Sequence, residues 1–333
     1  MIAELRRFGA MRWGTFAMAL AAFAFSCGVL AQGGYPDHVV KVIVPWPAGG
    51  IADVVARIIG QRLGERLGQA IVIENRTGAN GIVGASAAAN SPADGYTLFL
   101  VTSEVVSINP AVYSKLPYDV SKDFAPITPV VKYFYTLTAR TGLPATSTND
   151  LVALAKSKPG ELTYGSWGTG SVGHLGMEML AQEQGLQMLH VPYTGGPAAY
   201  TALVAGQVDL VMMPSGIADP YRQAKRLNAL AVPTEQRLAL MNSVPTMREQ
   251  GYDLVVINHM GFLAPAKTPE PIIKRLNSEL AAVMQLPDIQ SQLRAQAAEP
   301  FVSSPEEYAR WIRSEQRRWA EVARKANVKL ELN

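Results

Sequence analysis

Cysteine is nearly absent from this 333-residue chain, since Cys27 is its single thiol. Cys27 lies in an N-terminal stretch with the pattern of a removable segment, so the rest of the chain has no thiol for a disulfide, a metal site or a nucleophile. Histidine is also scarce, and none of the four residues has the HxxxH or HxH spacing of a zinc site. The sequence therefore predicts neither a metal nor a cofactor.

An excess of either charge is lacking as well. The whole chain has 30 Lys and Arg against 27 Asp and Glu, a net charge of +3. Residues 1–31 hold three Arg and one Glu, so without them the net charge is 3 − 3 + 1, or +1. A nearly neutral surface gives no reason to expect nucleic acid or an anionic membrane as a partner.

Long apolar runs are missing except near the N-terminus, where Trp13 to Leu30 is rich in alanine. Arg6, Arg7 and Arg12 precede this run, and Val29 and Ala31 suit the −3 and −1 positions of a cleavage site. We predict that residues 1–31 are a cleaved signal peptide and that the protein is exported to the periplasm. A retained membrane anchor and lipidation of Cys27 are the alternatives.

From Val39 onward, strand-like and helix-like segments alternate, which predicts an α/β fold with parallel sheets. We expect a helix from about Ala52 to Leu67 that Gly68 ends, and a helix over 151–158 capped by Asn149 or Asp150. The strand within 254–265 is expected to cross back to the first lobe. An apolar stripe on the last helix, over 305–326, is expected to pack onto that lobe. The predicted lobes are 35–131 plus 255–333 and 132–254.

Two glycine-rich turns lie between a strand and a helix. The first, PWPAGGIAD over 45–53, carries Gly49 and Gly50 side by side. Free N–H groups and the positive end of a helix dipole can meet there and bind a small anion. The second, GTGSVG over 168–173, matches GxGxxG, but the following LHVPYTGG lacks the acidic residue of a dinucleotide site. We interpret the GTGSVG turn as a second binding site for a carboxylate.

Residues that could carry chemistry have competing interpretations. Ser166 and Ser215 lie in YGSWG and MPSGI, neither of which is a GxSxG nucleophile elbow. His174 could face a ligand or hold the second turn by a structural hydrogen bond. Asp53 could pair with Arg57 one turn later, or hold a water or the ammonium of an amino-acid ligand. No catalytic residue is predicted.

Long blocks follow one another in a fixed order, among them VPWPAGGIADVVAR, ENRTGANGIVGASAAANSPADGYTL, KPGELTYGSWGTGSVGHLGMEML and HVPYTGGPAAYTALVAGQVDL. In this order they resemble the Bug (TctC-like) family, the periplasmic solute receptors of tripartite tricarboxylate transporters. The resemblance covers essentially the whole mature chain. It implies a type II periplasmic-binding-protein fold, in which two α/β lobes joined by crossing hinge strands close around a ligand.

The resemblance also implies a function without catalysis. The protein would capture a small mono- or dicarboxylate, an aromatic acid or an amino acid included, and deliver it to the membrane permease subunits of such a transporter. A receptor that presents the same acid to a sensor kinase is one alternative, and an exported hydrolase is another.

The family's ligand-binding positions carry over to residues of both lobes. In the first lobe they are Trp46, Ala48, Gly49, Gly50, Ile51, Ala52, Asp53, Gly78, Ala79, Asn80, Thr102 and Ser103. In the second lobe they are Ser166, Gly168, Thr169, Gly170, Ser171, Tyr193, Thr194, Gly195 and Ser215, beside the candidate His174. Three positions depart from the family pattern: Ile51 replaces a hydroxyl residue, His259 an aromatic one, and Glu104 a small or hydroxyl one. Glu104 would disfavour a polycarboxylate if it points inward.

Overall fold

The computed structural model describes residues 34–325 and 328–332. The predicted signal peptide and Cys27 lie outside the described residues. Within those residues, no helix is both long and apolar enough to cross a membrane.

The first part of the chain alternates strands and helices as predicted. Its elements are β1 (Val40–Val44), α1 (Ile51–Leu67), β2 (Ile71–Asn75), a 3-10 turn (Ala79–Gly81), α2 (Ile82–Ala89), β3 (Thr97–Thr102), a π-helical turn (Glu104–Ile108), α3 (Asn109–Val112) and α4 (Val120–Asp123). Strand β1 pairs in parallel with β2 on one side and β3 on the other. Gly68 ends α1 in the left-handed conformation at φ 70°, where a residue without a β-carbon is favoured.

The middle of the chain forms a second set of strands and helices. They are β4 (Phe124–Arg140), α5 (Thr148–Ser157), β5 (Thr163–Ser166), α6 (Val172–Gln184), β6 (Leu189–Pro192), α7 (Gly196–Val204), β7 (Leu210–Pro214), α8 (Ser215–Gln223), β8 (Leu227–Ala231) and 3-10 turns at Ala239–Met241 and Arg248–Gln250. The predicted cap of α5 was wrong, because the Ser147 hydroxyl accepts the Asp150 N–H and Asp150 instead accepts from Thr146. Ser147 has the extended backbone that an N-cap needs.

The last part contains β9 (Ile257–Pro265), α9 (Glu270–Met284), α10 (Pro287–Ala295), β10 (Ala298–Pro300) and α11 (Pro305–Lys325). The apolar stripe of α11 packs as predicted, since Tyr308 and Ile312 lie in one buried cluster with Phe99 and Phe124. Burial of such side chains is the main stabilising contribution of this helix.

Strands β4 and β9 connect the two parts of a sheet whose order is β2-β1-β3-β9-β4-β7-β5-β6 in the described chain. Strand β9 lies antiparallel between β3 and β4, which confirms that this segment crosses back to the first part. The 17-residue β4 pairs with β9 near Phe124 and with β7 near Tyr135. The lobe boundaries stay a prediction, and the one between 131 and 132 falls within β4.

Candidate ligand-binding site

A narrow cavity of about 30 Å³ lies between the two parts of the sheet. The first part contributes the turn after β1, the start of α1 and the end of β3 with the turn that follows it. The second part contributes side chains of β4, the residue after β5, the first turns of α7 and the last residue of β7. Its lining consists of Trp46, Pro47, Gly50, Ile51, Ala52, Thr102, Glu104, Tyr133, Tyr135, Trp167, Gly196, Pro197, Tyr200 and Pro214. No lysine, arginine or histidine lines it within the described chain.

The N-terminus of α1 faces this cavity. Gly49 adopts a φ of 77°, which turns the chain so that Gly50 can precede the helix in extended conformation. No side chain caps the helix, while Ile51 and Ala52 line the cavity. The first N–H groups of a helix have no carbonyl partner within it, so they carry partial positive charge toward the cavity.

Asp53 supports this turn from behind. Its carboxylate accepts hydrogen bonds from Gly49 N at 3.0 Å, from Arg57 Nη2 at 2.8 Å and from Asn75 Nδ2 at 3.0 Å. Burial raises the pKa of Asp53, but the hydrogen bonds from Arg57, Gly49 and Asn75 outweigh burial and bring the pKa below its ordinary value. Of the two interpretations of Asp53, the geometry matches the pairing with Arg57, and Asp53 is absent from the cavity lining.

A second uncapped helix N-terminus reaches the same cavity from the opposite side. Helix α7 begins after Gly195, whose φ of 127° favours glycine, and no side chain caps it. Gly196 and Pro197 line the cavity, and Pro197 at the start of the helix has no N–H to leave unsatisfied. The cavity therefore lies between two helix N-termini, a suitable arrangement for an anionic group.

The GTGS turn makes its hydrogen bonds within the protein. Gly168 N donates to Ser166 Oγ at 3.2 Å, Gly170 N to His174 Nδ1 at 3.1 Å, and Ser171 N to Gly168 O at 3.1 Å. The Ser171 hydroxyl caps α6 by accepting the His174 N–H. These N–H groups are already satisfied, and none of these residues lines the cavity.

His174 matches its structural interpretation. The His174 Nδ1 atom accepts a hydrogen bond from Gly170 N, and the His174 ring stacks on the His190 ring with centroids 4.1 Å apart. The Nε2 atom of His190 lies 2.7 Å from Ser166 Oγ. Burial lowers the pKa of His174, and burial together with the neighbouring His174 lowers the pKa of His190 to about 3. Both rings are therefore neutral at physiological pH.

The other predicted site residues fall into two groups. Trp46, Gly50, Ile51, Ala52 and Thr102 line the cavity, where Trp46 Nε1 donates to Thr102 Oγ1 at 3.2 Å. Those outside the lining are Ala48, Gly49, Asp53, Gly78, Ala79, Asn80, Ser103, Ser166, Gly168, Thr169, Gly170, Ser171, His174, Tyr193, Thr194, Gly195 and Ser215. Several residues of the second group make hydrogen bonds within the protein; for example, the Ser215 and Thr136 hydroxyl oxygens lie 2.8 Å apart. Ligand contact by both groups stays a prediction.

The sequence analysis missed an aromatic group around the cavity. Tyr133 and Tyr135 on β4 are separated by one residue and both line the cavity. Residues i and i+2 of a strand lie on the same face of the sheet. The Tyr135 ring stacks on Trp167 with centroids 5.6 Å apart, and Tyr200 completes the lining. The alternation in KYFYTLT was the signal that could have identified the two tyrosines.

Glu104 points inward, to the same cavity. It is 1% exposed, because the π-helical turn directly after β3 carries it into the interior. Its Oε1 accepts from Trp167 Nε1 at 3.2 Å and from Val172 N at 3.4 Å, and its Oε2 accepts from Asn258 Nδ2 at 3.1 Å. Burial first, and this carboxylate second, raise the pKa of Tyr200 above its ordinary value.

A metal site is not evident in this region. Among the described residues, no group of three or more His, Cys, Asp or Glu side chains is arranged to hold a metal ion. The groups that line the cavity are helix N-termini, hydroxyls, aromatic faces and one carboxylate.

Two α/β lobes joined by crossing strands, with a cavity between them, define a solute receptor of the periplasmic-binding-protein type. The chain belongs to the family described as tripartite tricarboxylate transporter family receptor. The model of this family matches residues 55–328. The resemblance to Bug (TctC-like) receptors is thereby confirmed. Members of this family are periplasmic receptors and not enzymes, which confirms the prediction of a non-catalytic protein.

Three solved structures are similar to this chain over nearly their whole length. One is Rpa4515 of R. palustris with adipate, at 34% identity and a TM-score of 0.86, covering 90% of this chain and 100% of the other. The periplasmic binding protein BugD has 30% identity, a TM-score of 0.85, and coverage of 90% and 100%. MatC from Rhodopseudomonas palustris, with bound malate, has 30% identity, a TM-score of 0.81, and coverage of 86% and 99%.

Proposed function

We propose that this receptor binds a small organic carboxylate in the cavity between its lobes. The observation that carries the proposal is that two uncapped helix N-termini, those of α1 and α7, reach one cavity from opposite lobes. Such termini bind carboxylates without a basic side chain. Two similar structures contain carboxylates, namely adipate and malate, and thus support the same ligand class.

Binding is expected to close the lobes. A ligand that touches both α1 and α7 makes its full set of contacts only when the two lobes are together, so it shifts the population toward the closed form. A dissociation constant of 1 μM corresponds to about −8 kcal/mol. Charge-assisted hydrogen bonds to a few backbone N–H groups are of the strength that such an affinity requires.

Thermal unfolding of the mature chain against a panel of organic acids tests the ligand class. An acid that binds the folded state raises the melting temperature in a concentration-dependent way. If a nucleotide stabilised the chain and no organic acid did, the ligand class would be wrong.

The export and the partner belong to the same proposal. Residues 1–31 direct the chain to the periplasm, and the closed receptor delivers its ligand to the membrane subunits of a tripartite tricarboxylate transporter. The family match supports this partner, while no observation favours the sensor-kinase alternative. Uptake of labelled acid into vesicles containing the two membrane subunits should require the mature chain. Uptake that proceeds equally without it would contradict delivery.

A further inference from the structure

Glu104 is a buried charge without a countercharge. Its side chain belongs to the cavity lining and is 1% exposed. Its partners are N–H groups of Trp167, Val172 and Asn258, and no ion pair to Glu104 forms among residues 34–325 and 328–332. Buried carboxylates are normally paired with a cation, since hydrogen bonds offset only part of the cost of removing the charge from water.

Glu104 also occupies a place that an anionic ligand group could take. Val172 is the first residue of α6, and its N–H points to Glu104 Oε1 at 3.4 Å. The positive end of this helix is thereby used by the protein's own carboxylate. A second ligand carboxylate in this half of the cavity would meet a like charge in a region of low dielectric constant, where repulsion is strong.

The walls beside Glu104 suit a cation. Tyr135 and Trp167 stack on each other at 5.6 Å between centroids, and Tyr133 lies 5.5 Å from Tyr135. Aromatic faces attract ammonium groups through their quadrupole, and this attraction increases when the cation is removed from water. The cavity therefore has positive helix N-termini at α1 and α7 and, at Glu104, a negative group.

We propose that Glu104 selects a monocarboxylate that carries an ammonium group, and that it excludes dicarboxylates. The ligand's carboxylate lies between the N-termini of α1 and α7, and its ammonium group lies against Glu104 and the aromatic walls. This inference rests on the proposed function, because it takes the carboxylate site as given. It assigns to Glu104 the ammonium-binding role that the sequence had offered as one interpretation of Asp53, whose carboxylate is used by Gly49, Arg57 and Asn75.

Calorimetry with two matched series tests the proposal. The six-carbon series is adipate, hexanoate and 6-aminohexanoate, and the four-carbon series is succinate, butanoate and 4-aminobutanoate. Members of a series share their length and differ only in the terminal group. In at least one series, the wild-type chain should bind the amino acid at least tenfold more tightly than the diacid and the plain acid.

Two variants separate charge from shape. Glu104→Gln keeps the size of the side chain and removes the charge, so affinity for the amino acid should fall at least tenfold and affinity for the diacid should rise. Glu104→Asp keeps the charge and should keep the ranking. Circular dichroism at the assay temperature establishes whether each variant is folded. If Glu104→Gln is not folded, the order of affinities measured for the wild-type chain alone tests the role of Glu104.

The outcomes distinguish the two proposals. A wild-type chain that binds a diacid or a plain acid as tightly as the amino acid in both series overturns the role of Glu104 and leaves the carboxylate receptor intact. An amino-acid affinity that Glu104→Gln does not change also overturns it. If no member of either series and no other organic acid binds, the proposed function fails, and this inference fails with it.

Discussion

Gly195 packs against Pro47 so closely that a β-carbon on Gly195 would lie 2.6 Å from Pro47 Cγ. Pro47 belongs to the turn after β1, and Gly195 precedes α7, so the contact joins the two lobes. Atoms at 2.6 Å overlap, and one of the two loops must move to admit a side chain. The absence of a side chain at residue 195 is thus a condition for the closed arrangement.

Gly195→Ala should therefore weaken ligand binding. With the acid that stabilises the wild-type chain most in the thermal screen, we expect a loss of affinity of about tenfold or more by calorimetry, because the lobes cannot approach fully. Pro47→Ala, which removes the Cγ atom, should restore part of the affinity in the double variant.

Gly185→Ala is the matched control. Gly185 also has a positive φ, 65°, but nothing lies within 4 Å of the position of its β-carbon. This variant carries the milder strain of the left-handed conformation (ψ 38°) without a collision, whereas Gly195 (ψ 165°) lies in a region that alanine adopts at higher cost. Rescue by Pro47→Ala separates the two causes, because it removes the collision and leaves the backbone strain at residue 195 unchanged. An absence of rescue would show that strain, and not the contact with Pro47, is responsible.

Two tryptophans should report ligand binding. Trp46 and Trp167 line the cavity, whereas Trp311 and Trp319 lie on α11 outside its lining. Indole emission responds to nearby polarity and charge, so a bound acid should change the emission spectrum of the mature chain. Trp46→Phe or Trp167→Phe should reduce this change, and Trp311→Phe should leave it intact. A signal that disappears with Trp311→Phe would place the ligand elsewhere.

Much of the fold could be predicted because its signals are local. The glycines at 49, 50 and 68 mark where α1 begins and ends. The alternation of strands and helices predicts the parallel pairs of β1 and β5, but it was wrong for β4 and β9, whose pairs are antiparallel. The turn between β1 and α1 could also be predicted from local signals, since a strand, two glycines and a helix suffice to predict free N–H groups.

The remainder of the site depends on contacts that are distant in sequence. Tyr135 and Trp167 meet only because β4 crosses into the second lobe and pairs with β7. The inward direction of Glu104 depends on a π-helical turn, which leaves no recognisable pattern in the sequence. The GTGS turn has the residues of an anion-binding turn, yet its N–H groups donate to Ser166 and His174. The positions of Ser166 and His174 result from their burial, which the spacing of residues in the sequence does not reveal.

The Asp53 network should contribute more to stability than its ion pair alone. The Asp53 side chain is 6% exposed and that of Arg57 is 55% exposed. Asp53→Asn removes the charge that Gly49, Arg57 and Asn75 share, so we expect the free energy of unfolding to fall by about 1–3 kcal/mol. Arg57→Gln should cost less than about 1 kcal/mol, because a half-exposed partner is replaced by water. Urea unfolding at pH 7 measures both, and equal losses would contradict the network.

His190 should make the protein less stable as the pH falls below neutrality. Its pKa in the folded chain is about 3, against an ordinary value of 6.5, because burial and the neighbouring His174 disfavour the charged ring. Between these two values the unfolded chain binds a proton that the folded chain does not. Stability is therefore complete above about pH 6.5 and decreases as the pH is lowered toward 3.

His190→Gln isolates this contribution. Glutamine does not titrate, and its amide can replace Nε2 as the partner of the Ser166 hydroxyl, 2.7 Å away in the wild-type chain. The melting temperature of the variant should fall less than that of the wild type between pH 7 and pH 4.5, while the two remain similar at pH 8. A part of the slope should persist, because burial lowers the pKa of His174 in the same direction. Parallel curves for wild type and variant would mean that His190 is already protonated in the folded chain, or that its ring is accessible to water.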